Sequence, residues 1–127
     1  MSTAVKDLIA WQQAMDLVEM VYKLTAKLPK EELYGLTSQM RRCAVSIASN
    51  IAEGQSRNSK GEFLQFLGNS RGSIEELRTQ LMIAKRLGFV GEKETEDTLK
   101  QLERVARLVN GLMQAMRPKT LKAASGS

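Results

Sequence analysis

The sequence predicts an all-α protein, an antiparallel up-down-up-down four-helix bundle. Three observations lead there. Apolar residues recur at 3-4 spacing along four long segments, no segment alternates as a strand does, and the breaks between segments are short. A chain of 127 residues makes one domain, expected over residues 1–117, and buries enough surface to stand without a disulfide or metal staple.

The first helix is expected from about Leu8 to Leu28. Leu8, Trp11, Met15, Val18, Tyr22 and Thr25 form one stripe, widened by Ala14, Leu17, Val21, Leu24 and Leu28. Pro29 stops it, because the residue before a proline is pushed out of the α region. After the turn "KEELYG" a second helix runs from about Leu36 to Glu53, with Gly54 expected as its left-handed cap. Ser59-Lys60-Gly61-Glu62 reads as a capping box that starts the third helix, about Lys60 to Leu87. Its core stripe is Phe63, Leu67, Ser70, Ile74, Leu77, Leu81 and Ala84, and Gly88 ends it. The fourth helix, about Lys93 to Met116, opens among acidic residues that suit the positive end of the helix dipole. Its seam is Leu99, Leu102, Ala106, Val109, Met113 and Met116, with Val105, Leu108 and Leu112 beside it. Pro118 ends it. Residues 118–127 read as a disordered tail whose final "AASGS" has the look of a cloning remnant.

The chain has no histidine and a single cysteine, Cys43. Histidine is the commonest general base and the commonest metal ligand, and its absence removes most catalytic constellations. There is no Ser/His/Asp or Cys/His set, no metal cluster and no glycine-rich phosphate loop. Glu62, Glu75 and Glu76 lack the Glu-x-x-His partners that di-iron bundles use. The expectation is a protein that is not an enzyme and holds no cofactor or metal. Cys43 sits in an apolar helical pattern and reads as a small core residue in a reducing compartment. The start, "MSTAVKDLIAWQQAMDL", lacks the pattern of a signal peptide, and no apolar run approaches the ~18–20 residues of a membrane span. The cytoplasm, without membrane association, is the expected location.

Net charge is +5, and residues 36–60 carry +3 of it, from 4 basic and 1 acidic side chain. Such a surplus permits attraction to nucleic acid without establishing it. The candidate nucleic-acid contacts are Arg42, Arg57 and Lys60, and on the fourth helix Lys100, Arg104 and Arg107, which share one face at i, i+4, i+7. Arg41, Arg117, Lys119 and Lys122 are further basic candidates. With three Phe, two Tyr and one Trp, no aromatic-rich stacking platform is expected. Any binding to RNA or DNA is then sequence-indifferent and salt-sensitive. Basic residues late in a helix are also favoured by the dipole, so a protein-binding adaptor with incidental charge is the alternative.

The second helix has a polar seam beside its apolar one. At ~100° per residue, Gln39, Arg42, Ser46, Ser49, Asn50 and Glu53 fall on one side, and Met40, Cys43, Ala44, Ile47 and Ile51 on another. Arg41 falls with the small residues Val45, Ala48 and Ala52 on a third. Either the seam is a solvated face, or a neighbouring helix or subunit satisfies it. An arginine packed among small residues calls for a carboxylate. On the third helix Arg71, Glu75 and Arg78 flank the apolar stripe, while Glu62, Gln65, Asn69, Ser73, Glu76 and Gln80 form an outer polar stripe. Arg71, Glu75 and Arg78 are therefore expected to form a structural cluster at the core boundary, and a carboxylate of this helix is the expected partner of Arg41. The flanks Leu17, Val21 and Leu24, and Val105, Leu108 and Leu112, look wider than one bundle core requires. Apolar area left over in that way points to a homo-oligomer with closed symmetry.

The stretch "QMRRCAVSIASNIAEGQSRNSKGEFLQFLGNSRGSIEELRTQL", preceded by "LIAWQ" and "YGL", resembles the four-helix-bundle family encoded in intervening sequences of large-subunit ribosomal RNA genes. That family is similar to the accessory protein of diversity-generating retroelements. The resemblance covers residues 7 to about 117 and is carried most specifically by "SIASNIAEG" and "GSIEEL". It implies a ring of bundles, a homopentamer around a central pore, and, by analogy with the retroelement branch, nucleic-acid binding beside a protein partner such as a reverse transcriptase. The family's polar residues match here as Arg41, Arg42, Ser46, Asn50, Glu53, Glu62 and Glu75, so the resemblance implies a structural polar network of Arg41, Ser46, Asn50, Glu53, Glu62, Arg71, Glu75 and Arg78, with Arg41 meeting Glu75. Two positions depart from the family pattern. Cys43 stands where alanine is usual, and Ala48 where proline is frequent, which implies a straighter second helix here.

Overall fold

The computed structural model describes Val5 and residues 8–117. The tail expected over 118–127, with Lys119 and Lys122, lies outside the described residues. Four helices account for most of them: α1 (Ile9–Thr25), α2 (Leu36–Gln55), α3 (Lys60–Arg86) and α4 (Glu92–Met116), with a short 3-10 turn at Lys30–Glu32 between the first two. Among the described residues there is no strand.

Local chemistry sets the boundaries. The capping box at the start of α3 forms: the Glu62 N–H donates to Ser59 Oγ at 3.1 Å, and the Ser59 hydroxyl donates to Glu62 Oε1 at 3.3 Å. Gly35 has no side chain to cap α2, and Glu32 acts from the preceding turn instead, its Oε1 accepting from the Leu36 N–H at 3.2 Å. Gly88 ends α3 in the left-handed conformation, φ 74°, as expected. Gly54 does not adopt it. The helix continues through Gly54 to Gln55, and glycine is required there for space: a Cβ would come within 2.8 Å of the Phe63 ring and 2.9 Å of Phe66 Cβ. The glycine lets the end of α2 approach the start of α3.

Side-chain pairs between elements fix the directions. Lys27 at the end of α1 meets Glu94 at the start of α4, while Gln13 near the start of α1 meets Gln101 further along α4. Cys43, Ser46 and Ile47 of α2 meet Glu76, Ser73 and Ser70 of α3 in reverse order. Arg78 of α3 reaches Glu103 of α4. Each helix thus runs antiparallel to its sequence neighbour, α1 packs on α4, and the diagonal pairs α1–α3 and α2–α4 do not pack directly.

The core is continuous across all four helices, from Leu17 and Val21 through Met40, Ile47 and Ile51 to Phe63, Leu67, Leu77, Leu81, Leu102 and Val109. Burying each of the larger side chains contributes about 1.5–3 kcal/mol. The stripe expected on α3 is buried throughout. On α1 the order is reversed. Leu17, Val21 and Leu24, expected to overhang the core, are its centre, and Met15 and Tyr22, expected inside, are exposed. Val105 of α4 is likewise fully buried, and Leu108 and Leu112 are half-buried. Two adjacent stripes both satisfy the 3.6 periodicity, so periodicity alone does not say which one faces inward.

Polar residues inside the bundle satisfy themselves locally. The hydroxyls of Thr25, Thr95 and Thr98 donate to carbonyls one turn back, at 2.7, 2.7 and 2.8 Å. Ser70 donates across to the Ile47 carbonyl at 2.9 Å, tying α3 to α2. Among the described residues no helix is long and apolar enough to cross a membrane.

Candidate functional site

The polar seam on α2 divides along its length. Ser46 and Asn50 belong to the α2–α3 interface: Ser46 Oγ lies 2.9 Å from Ser73 Oγ, and Asn50 Nδ2 donates to the Ser46 carbonyl at 2.9 Å and to its hydroxyl at 3.0 Å. Arg42, Ser49 and Glu53 are exposed. The outer stripe expected on α3 divides in the same way. Ser73 and Gln80 are buried against α2, whereas Glu62, Gln65, Asn69 and Glu76 are exposed. Small side chains on α2 at Cys43 and Ser46 let α3 close over its own polar residues. The Cys43 thiol donates to Glu76 Oε2 at 3.9 Å, and burial, followed by the neighbouring Glu76 charge, pushes that thiol above its ordinary range. Gln80 Oε1 is left buried without a hydrogen-bond partner.

The expected junction of Arg41 with Glu75 does not form. Arg41 turns toward α1, where its Nε donates to Thr25 Oγ1 at 2.8 Å, its Nη2 donates to the Tyr22 carbonyl at 3.4 Å, and its guanidinium lies 4.5 Å from the centre of the Tyr22 ring. Half-buried rather than fully buried, it needs no carboxylate, since neutral acceptors and an aromatic face suffice. Glu75 pairs with Arg78 instead, and Arg78 also grips Glu103 of α4 with two bonds, at 2.8 and 2.7 Å. That two-bond grip holds the Glu103 carboxyl below the usual range and raises Arg78 further. Arg71 is exposed and takes no part, and Glu62 serves only the α3 cap. The expected network is divided: Arg41 lies against α1, Ser46 and Asn50 at the α2–α3 interface, and Glu75 and Arg78 beside α4, while Glu53 pairs with Arg57 and Glu62 with its own helix cap.

The predicted nucleic-acid contacts also separate. Lys100, Arg104 and Arg107 line one shallow groove along α4 with Leu99, Glu96 and Glu103. Arg42 and Arg57 lie on α2 and Lys60 opens α3, and α2 does not pack against α4. Arg57 is held by Glu53 at 3.1 Å and by the Phe66 ring at 4.7 Å. Arg42 makes no hydrogen bond or ion pair with any described residue.

The fold assembles a feature that sequence spacing concealed. Both tyrosines of the chain, Tyr22 on α1 and Tyr34 in the turn before α2, border one groove with Arg41, Arg42, Ser38 and Val45. Tyr34 is 93% exposed and Tyr22 43%. A second, more polar groove continues past Tyr34, Ser38 and Arg42 to Ser46, Ser73, Glu76 and Gln80. The only local signal was an aromatic side chain placed in a turn, outside every apolar stripe. Among the described residues no three His, Cys, Asp or Glu side chains converge as a metal site requires.

The molecule is a four-helix bundle that displays arginine and tyrosine along one edge and a row of basic residues along α4. Its family is defined by sequence. The model of the 23S rRNA-intervening sequence protein family matches residues 6–111, and the chain is a member of that family. Among solved structures it is similar to a Bacteroides thetaiotaomicron VPI-5482 protein of unknown function from the S23 ribosomal protein family. That likeness has 18% identity and a TM-score of 0.78, covering 86% of this chain and 98% of the other, and it concerns the fold alone. No curated protein matches the chain.

Proposed function

We propose that this protein is a non-enzymatic, cytoplasmic, homo-oligomeric scaffold that binds RNA or DNA loosely through basic surface. The observation that supports this reading best is the surplus positive charge of α4: Lys100, Arg104 and Arg107 share one exposed groove, where they outnumber Glu96 and Glu103, and Glu103 is already engaged by Arg78. Cations so spaced suit a phosphate backbone and read no sequence. Self-association is supported by the exposed Met15 and Tyr22, two turns apart on one side of α1, an apolar margin that a second copy would cover. A closed ring, a pentamer by the family resemblance, is the form proposed.

Fluorescence anisotropy of a labelled structured RNA, titrated at about 50 and 200 mM salt, tests the reading. The expected result is binding at the lower salt that weakens steeply at the higher. Charge reversal at Lys100, Arg104 and Arg107 should reduce the slope against salt. No binding at the lower salt would favour the second reading, a protein-binding adaptor, for which the exposed Met82, Ile83 and Leu87 at the end of α3 supply an apolar patch.

A further inference from the structure

We infer that the groove between Tyr34 and Arg42 is a distinct site for single-stranded nucleic acid, separate from the basic row on α4, in which one unpaired base stacks on Tyr34 and its phosphate meets Arg42. This inference rests on the proposal that the protein binds nucleic acid, and it adds where and in what form a strand is held.

Three observations converge on the groove. Tyr34 exposes 93% of its surface in a turn whose backbone is fixed at both sides, by the Gly35 N–H to Glu32 carbonyl bond at 3.0 Å and by the Glu32 cap on α2. A solvent-facing ring carried on a fixed turn offers an open face on which a base can stack, and no hydrogen bond or ring contact among the described residues uses it. Arg42, which borders the same groove, makes no hydrogen bond or ion pair with any described residue, and the groove's other cation, Arg41, is already stacked on Tyr22. The groove's own lining carries no carboxylate, and the one acidic residue of the adjoining groove, Glu76, is outnumbered by Arg41 and Arg42, so the field is positive where a phosphate would lie. A duplex hides the base face, and stacking reads no hydrogen-bonding edge, so the site selects single strands over duplexes while remaining tolerant of sequence.

The test compares a labelled single-stranded RNA of about ten nucleotides with a duplex of the same sequence, for wild type, Tyr34→Ala, Arg42→Gln and the α4 charge-reversal variant. Light scattering reports the mass of each. Tyr34→Ala removes a ring that supports no other part of the fold and should leave melting unchanged. It is expected to weaken single-strand binding about 5- to 100-fold, the range base–aromatic stacking supplies, and to leave duplex binding within 2-fold. Tyr34→Phe should restore most of the loss, because the ring and not the hydroxyl stacks. Equal affinity of Tyr34→Ala and wild type for the single strand would overturn the inference while duplex binding through α4 still stood. If Tyr34→Ala changes the oligomeric mass instead, the groove is an interface between copies and the inference falls. Absence of binding to either nucleic acid by the wild type would remove both readings together.

Discussion

Two edges of the bundle hold an arginine at a helix–helix junction, and they treat it differently. On the α3–α4 edge Arg78 is enclosed by carboxylates, Glu75 from its own helix and Glu103 from the next. On the α1–α2 edge Arg41 finds a threonine hydroxyl, a backbone carbonyl and the face of Tyr22, while its neighbour Arg42 finds no partner among the described residues. The first arginine is neutralised and spends its geometry on holding two helices in register. The second edge keeps its positive charge. An edge whose cations are paired internally is structural, and one whose cations are left with neutral neighbours is available to an external anion.

The comparison can be broken at four points. The largest effect is expected where both edges depend on a common joint. Gly54→Val places side-chain atoms against Phe63 and Phe66 where even a Cβ lies under 3 Å away, and should cost about 2–3 kcal/mol or more. Chemical denaturation should show both edges lost in one transition. Arg78→Leu comes next. It leaves Glu75 and Glu103 without their shared cation, and a loss of about 1–2 kcal/mol is expected after allowance for the partial exposure of both carboxylates. A loss under about 0.3 kcal/mol would mean that the clamp adds only geometry.

A pH titration sharpens the same point. The folded state holds Glu103 below its ordinary value of 4.5, so its contribution is fully present above that value and disappears as pH falls below it through the depressed one. The melting temperature of wild type should therefore fall more steeply than that of Arg78→Leu below about pH 4.5. Parallel curves would show that Glu103 is not the group responsible. The smallest effect on stability is expected at Arg42→Gln, within about 0.5 kcal/mol, because no contact is lost. A substantial destabilisation there would show that Arg42 has a structural partner and would dissolve the contrast between the edges.

Much of the architecture follows from local pattern. Helix starts and stops lie within a few residues of expectation because Ser59, Pro29 and Gly88 act through their own backbone neighbourhoods. The α3 stripe was legible because a single apolar line lay on that helix. The site was less legible. A desolvated guanidinium such as that expected at Arg41 demands a carboxylate, yet the degree of desolvation depends on how far α1 covers it, which spacing along α2 does not encode. The pairing of Tyr34 with Tyr22 is not legible in the sequence, because the two stand 12 positions apart and only the turn at Pro29 folds the rings onto one groove.

Four amphipathic helices, their order and their ends are consequences of the chain's own periodicity and punctuation, since hydrogen bonds within a helix and the chemistry of its caps involve residues a few positions apart. Which of two apolar stripes on α1 faces inward, which polar residues of α2 and α3 close over one another, and which arginines are left uncompensated were settled by packing. Those outcomes depend on the rotation and spacing of one helix against another, quantities set jointly by side chains far apart in sequence.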